Sequence, residues 1–136
     1  MSQGAAVLFV NEAFYAAFRD RDFETLEELW ARRAPVACIH PGWQALHDRE
    51  EIMESWQAIL GNPSSPRILC RNAEAFVLGE TAFVVCYEVL GESVLVATNI
   101  FVQEDGSWKL VHHQAGPCNA PPGLEEEAAP GSGQLQ

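Results

Sequence analysis

Apolar residues recur at three- and four-residue spacing over residues 5–19, where Val7, Val10, Phe14, Ala17 and Phe18 form one stripe. That period predicts an amphipathic helix, with Tyr15 beside the stripe. A second, short helix is predicted from Asp22, a suitable N-cap, with Phe23, Leu26, Leu29 and Trp30 turned inward and Glu24, Glu27 and Glu28 toward water. It ends before Pro35. Val36–His40 reads as a strand that Pro41-Gly42 breaks. A third helix opens on the capping sequence Asp48-Arg49-Glu50-Glu51 and carries Ile52, Met53, Trp56, Ile59 and Leu60 on one face. Gly61 is expected at its C′ position, followed by Asn62-Pro63.

After Pro66 the period changes from 3.6 to 2. Arg67–Arg71 with Ala73–Leu78, Thr81–Leu90, Val94–Gln103 and Trp108–Gln114 are rich in Val, Ile, Phe and Thr. Short Gly-bearing connections separate them, so consecutive strands are expected to pair antiparallel. Helices first and strands afterwards is an α+β order, with helices packed on one face of an antiparallel sheet. In Thr81–Leu90 one face reads Phe83, Val85, Tyr87, Val89 and the other Ala82, Val84, Cys86, Glu88. Two nearly apolar faces imply two covers, and a homodimer through the sheet is the simplest second one.

Composition narrows the function classes. The chain has 136 residues, 48% hydrophobic and 20% charged, with a formal charge of −11. That is enough for one packed domain, and the acidity argues against nucleic acid or an anionic membrane as partner. No apolar run approaches the roughly 20 residues that cross a bilayer, and the start lacks the basic segment of a signal peptide. A cytoplasmic location is therefore expected. Residues 118–136, rich in Pro, Gly, Ser and Glu, are expected to form a disordered acidic tail after a domain over residues 1–117.

Four cysteines, Cys38, Cys70, Cys86 and Cys118, make no CxxC and read as free thiols. The histidines are His40 in His40-Pro41-Gly42-Trp43, His47, and the pair His112-His113. An imidazole that titrates near neutrality is a natural general base in an apolar pocket, so His40, His112 and His113 are the catalytic candidates. Strict alternation groups Trp108, Leu110 and His112 on one face and Lys109, Val111 and His113 on the other; which histidine faces inward stays open. Tyr15, Trp43, Trp56, Tyr87, Asn99 and Phe101 are candidate pocket residues. Glu88 is the only carboxylate on the central strands, and Glu74 on the preceding one reads as solvated. No HExxH, GxSxG, Walker or GxGxxG motif occurs, so neither metal nor cofactor is expected.

Four phrases in this order resemble the nuclear transport factor 2-like superfamily, and within it the SnoaL-like domains, over about residues 5–117. They are Ile39-His40-Pro41-Gly42-Trp43, Asp48-Arg49-Glu50-Glu51-Ile52 with Trp56, Ala97-Thr98-Asn99-Ile100-Phe101, and Gly106-Ser107-Trp108-Lys109-Leu110-Val111-His112-His113. The resemblance implies a cone-shaped, cystatin-like α+β roll: three N-terminal helices on a curved antiparallel sheet, a deep pocket, and a dimer through the sheet. SnoaL-like members that end this way usually continue with a third histidine, a small residue, Ser and Pro, where this chain has Gln114-Ala115-Gly116-Pro117. The carboxylate sets of ketosteroid isomerases and limonene epoxide hydrolases are missing. By similarity to the scytalone dehydratase type, Tyr15, His40, Tyr87, Asn99 and His112 or His113 would supply acid, base and hydrogen-bond support. Two functions are therefore expected of the chain: a binder of a small, largely apolar ligand or a dimeric association module, or alternatively a cofactor-free lyase or isomerase.

Overall fold

The structure is a computed structural model that describes residues 1–121 and 123–124. Helix α1 spans Gln3–Arg19, α2 Phe23–Leu29 and α3 Arg49–Gly61. Strand β1 is Ala37–Ile39, and β2 Leu69–Leu78, β3 Thr81–Leu90, β4 Ser93–Glu104 and β5 Ser107–Pro117 form the meander. The sheet order is β1-β5-β4-β3-β2. All neighbours are antiparallel except β1, which lies parallel to β5. The three helices cover one face of the sheet. The fold is thus the α+β cone expected. Of the predicted tail, Pro122 and residues 125–136 lie outside the described residues, and the Cys118 amide still donates to the Val94 carbonyl at 3.1 Å.

The helix starts are set by side-chain caps. Asp22 accepts from the Thr25 amide at 3.1 Å and Asp48 from the Glu51 amide at 3.3 Å, each satisfying an amide that no helical carbonyl reaches. The end of α3 differs from the expectation. Gly61 is its last helical residue, and Asn62 is the cap with φ −88°, so no left-handed glycine closes the helix. Instead the Arg21 guanidinium donates to the Leu60 and Asn62 carbonyls, both at 2.8 Å. A cation there also meets the negative end of the helix dipole.

One carboxylate fixes the loop between α2 and β1. Glu104, at the end of β4, accepts from the amides of Arg32, Arg33 and Ala34 at 2.8, 3.0 and 3.1 Å. Those bonds, the Arg32 amide's first, hold its carboxyl below the usual range. The neighbouring turn, Asp105-Gly106, has φ of 55° and 79° at its two residues, the geometry of a tight hairpin.

Two β-bulges decide which residues reach the core. In β2 the register shifts between Arg71 and Glu74, with Asn72 at φ 54°. In β5, Ile100 pairs with His112 but Phe101 pairs with Leu110, so Val111 is an extra residue. Alternation therefore breaks at Val111. Trp108, Leu110, His113 and Ala115 are all buried on the helix side. His112 falls on the outer face, which corrects the grouping expected from strict alternation.

The outer face carries Phe83, Val85, Tyr87 and Val89 of β3 beside Val94, Val96, Ile100 and Val102 of β4. Phe76 stacks on Phe83 with ring centroids 4.8 Å apart and is 43% exposed; Leu78 is 64% exposed. No helix among the described residues lies over this apolar face.

Candidate functional site

Between the helices and the inner face of the sheet lies a cavity of about 380 Å³. Its walls are mostly apolar: Phe14 and Phe18 from α1, Trp56 and Ile59 from α3, Ile68 ahead of β2, and Leu95 of β4. Tyr15, His40, Glu88 and His113 bring polar side-chain atoms to it, and Ser65 also lines it, its hydroxyl donated to the Ile59 carbonyl at 2.6 Å. Each sits where its element requires. Tyr15 follows Phe14 on the buried face of α1, Glu88 ends the inner row Ala82, Val84, Cys86 of β3, and His113 reaches the inner face because of the bulge.

The hydrogen bonds fix where the protons are. Asn99 Nδ2 donates to Asn11 Oδ1 at 2.8 Å and to the Tyr15 hydroxyl at 3.2 Å. The carbonyl oxygen of Asn99 is then the end facing His113, 2.6 Å from Nδ1, and a carbonyl can only accept. His113 therefore carries its proton on Nδ1 and presents a lone pair at Nε2. That nitrogen lies 3.9 Å from Glu88 Oε2, which accepts a 2.6 Å bond from the Tyr15 hydroxyl. A similar argument holds for His40. The Ser55 hydroxyl spends its proton on the Ile52 carbonyl at 2.6 Å, so His40 Nε2 must donate to it across 2.9 Å. Nδ1 of His40 is left as an acceptor.

Electrostatics agree with that inventory. Burial pushes the His113 imidazole down to about 3, with His40 and His112 adding repulsion, and burial alone takes His40 to about 4. Burial also raises the Glu88 carboxyl, against the Tyr15 hydrogen bond that favours its anion. Tyr15 is held well above its ordinary value by desolvation first and by Glu88 next. The site thus combines two neutral imidazoles with a carboxyl that burial makes harder to ionise. Burial pushes the Cys38 thiol up to about 12, which leaves it a weak nucleophile. Among the described residues, no three His, Cys, Asp or Glu side chains gather as a metal site.

The candidates named from sequence divide cleanly. Tyr15, His40, Trp56 and His113 line the cavity, and Trp43 stands at its rim, 49% exposed, with its ring 4.7 Å from that of His40. Asn99 is wholly buried one step behind the wall, as the partner of His113. His112 does not reach the cavity, because the bulge turns it outward. Tyr87 also lies on the outer face, opposite Arg71 and Val96, since it alternates with Glu88. Phe101 shares the inner face but is fully buried in the core and is not a wall residue. Sequence reasoning missed Asn11 and Ser55. Asn11 falls one turn after Val7 and is 1% exposed; a polar residue inside an apolar helix stripe was the available signal.

A helix layer closed over a curved sheet, with a hollow between them, is the architecture of the nuclear transport factor 2-like proteins. The chain belongs to their SnoaL-like domain family, whose model matches residues 7–118. It is similar to a Streptomyces avermitilis protein described as a candidate dehydratase of the NTF2-like family: 33% identity, TM-score 0.76, over 85% of this chain and 96% of that one. It is also similar to a candidate calcium/calmodulin-dependent protein kinase type II association domain from Thiobacillus denitrificans, at 28% identity and TM-score 0.68, over 81% and 93% of the two chains. The Arabidopsis thaliana F-box protein SKIP8 is 26% identical over 112 residues, 81% of this chain and 48% of that protein. The chain thus spans about half the length of the curated relative it matches. No helix among the described residues is long and apolar enough to cross a membrane.

Proposed function

We propose that the chain binds a small, largely apolar organic molecule in this cavity. The observation that carries the reading is His113: an imidazole locked by Asn99 so that its lone pair faces a mostly apolar hollow of about 380 Å³, within the size range of ligand sites. Such a site suits a ligand with one hydrogen to give, either a hydroxyl or an acidic C–H. Tyr15, Trp43 and Trp56 serve as walls, with His40 as the second acceptor.

The 3.9 Å pair favours a second, catalytic reading, a cofactor-free lyase or isomerase. His113 Nε2 would take a proton from carbon, and Glu88 in its acid form would hand one to a departing hydroxyl. The Streptomyces avermitilis protein's description as a candidate dehydratase supports this version. The association domain it resembles supports pairing of two copies through the apolar outer face of the sheet. Light scattering at micromolar concentration is expected to give twice the 15.0 kDa chain mass; a monomer mass removes the dimer. Unbonded thiols at all four cysteines support a reducing, cytoplasmic setting. We likewise take residues 1–117 as the domain and 118–136 as its tail.

The ligand reading is tested with N-phenyl-1-naphthylamine, a neutral fluorophore that brightens in apolar sites. Wild type is expected to enhance it saturably, with displacement by small hydroxylated terpenoid or aromatic compounds. Leu95→Trp and, separately, Ile68→Trp fill the cavity from two walls and are expected to weaken binding at least tenfold. Binding that both folded variants retain sinks the proposal.

A further inference from the structure

Beside the cavity is a second, smaller hollow of about 220 Å³. The two share Phe18, Ser65 and Pro66, so they are neighbouring compartments of one surface feature. Their chemistry is opposite. The larger is apolar with a carboxyl at Glu88; the smaller is edged by Arg19, Arg21 and Arg67. Three of the eight cations in a chain of net charge −11 therefore gather at one spot, next to the candidate ligand site.

The arginines are not equivalent. Arg19 pairs with Asp20 at 3.0 Å, both largely exposed. Arg21 is pinned by the carbonyls of Leu60, Asn62 and Ser65, which fixes a guanidinium at the hollow without cancelling its full charge. Arg67 has no hydrogen bond or ion pair among the described residues. Two further acids stand outside the hollow's lining: Glu12, whose charge acts on Arg19, and Asp22, whose carboxylate accepts from the amide and hydroxyl of Thr25 at 3.1 and 2.6 Å. No carboxylate is among the residues that line the hollow, so with Arg19 paired to Asp20 the groups an anion meets there are the guanidinia of Arg21 and Arg67.

We propose that this basic hollow holds the anionic end of the ligand, a carboxylate or comparable monoanion, while the ligand's apolar body enters the cavity. The proposal deepens the ligand reading above and rests on it. It also supplies an orientation. A carboxylate is attracted to Arg21 and Arg67 and meets no cation in the lining of the apolar cavity, so the molecule enters body first and presents the part remote from its anion to His113. Because the hollow opens to solvent, the attraction is screened by salt over roughly 8 Å at physiological ionic strength.

The test compares two probes of the same aromatic skeleton on the full chain, neutral N-phenyl-1-naphthylamine and anionic 1-anilinonaphthalene-8-sulfonate. Wild type is expected to bind the anionic probe at least fivefold tighter than the neutral one in 20 mM salt. Arg67→Glu is expected to cut that affinity ratio at least tenfold, Arg67→Gln by less, and 0.5 M sodium chloride to cut the wild-type ratio severalfold. A ratio that Arg67→Glu leaves within a factor of two overturns the basic subsite while the cavity reading stands. Anionic-probe binding that survives Leu95→Trp overturns it as well, since that probe then sits elsewhere. Failure of the neutral probe to bind wild type removes the ligand reading, and this one with it.

Discussion

Acidification from pH 7.5 to 5.0 is expected to destabilise the fold by about 3 kcal/mol, a large share of the 5–15 kcal/mol typical of a domain. Two buried imidazoles cause it. His40 and His113 are 4% and 3% exposed and stay neutral in the folded chain, at about 4 and about 3. In the unfolded chain both titrate near 6.5. Between those limits the unfolded state binds more protons than the native one, so stability rises with pH and falls as pH drops below 6.5. At pH 5 each histidine forgoes a protonation worth about 2 kcal/mol. Glu88 works in the opposite direction: its carboxyl is raised, so the native state keeps a proton that the unfolded state releases above its ordinary value. One carboxyl offsets part of two imidazoles. Among the described residues the His40 ring hydrogen-bonds only to Ser55 and Cys38, with no carboxylate, and so carries the cleaner share. Urea unfolding at the two pH values measures the loss, and His40→Leu is expected to shrink it by about 2 kcal/mol. Equal midpoints at pH 7.5 and 5.0 would mean that the imidazoles ionise inside the fold.

Much of the architecture was legible because it is written in local signals. Asp22 and Asp48 mark helix starts by a chemistry that acts within three residues, and Gly79, Gly91 and Gly106 mark hairpins by their positive φ. The site was less legible because it depends on parity. A strand is read two residues at a time, and one extra residue at Val111 exchanges His112 for His113 without altering the composition of the strand. Nothing in Leu110-Val111-His112-His113 announces that bulge. It is set by pairing with Ile100 and Phe101 on β4, a tertiary constraint. Tyr87 fails for a related reason: Glu88, the polar exception in its strand, takes the inner position that a pocket tyrosine would need. The rule that polar residues face water gives the wrong face of β3 because the cavity, unlike a packed core, has partners for a carboxyl. Asn11 is the same lesson on a helix, a polar residue placed in the stripe to receive the amide of Asn99.

Asn99 is where substitution is expected to cost most. It is wholly buried and serves three partners at once, accepting from His113 and donating to Asn11 and Tyr15. Asn99→Leu keeps the volume but leaves the His113 Nδ1–H and the Asn11 carbonyl without partners in an apolar layer. At roughly 1–3 kcal/mol for each stranded group, a loss of about 4 kcal/mol is expected in urea unfolding. Asn99→Asp separates packing from proton placement. An aspartate still accepts from Nδ1 at the same position, and its charge beside the ring raises the imidazole by roughly 1–3 units, as an opposite charge at that distance does. Nitrogen-15 chemical shifts of the ring read both effects. Wild type is expected to show His113 protonated at Nδ1 and unprotonated at Nε2 throughout the neutral range, and Asn99→Asp to begin taking a second proton at higher pH. A purely structural Asn99 predicts the stability loss but no such upward move. Should wild-type His113 carry its proton on Nε2, the cavity would offer a donor where a base is required, and the lyase reading would lose the group that starts it.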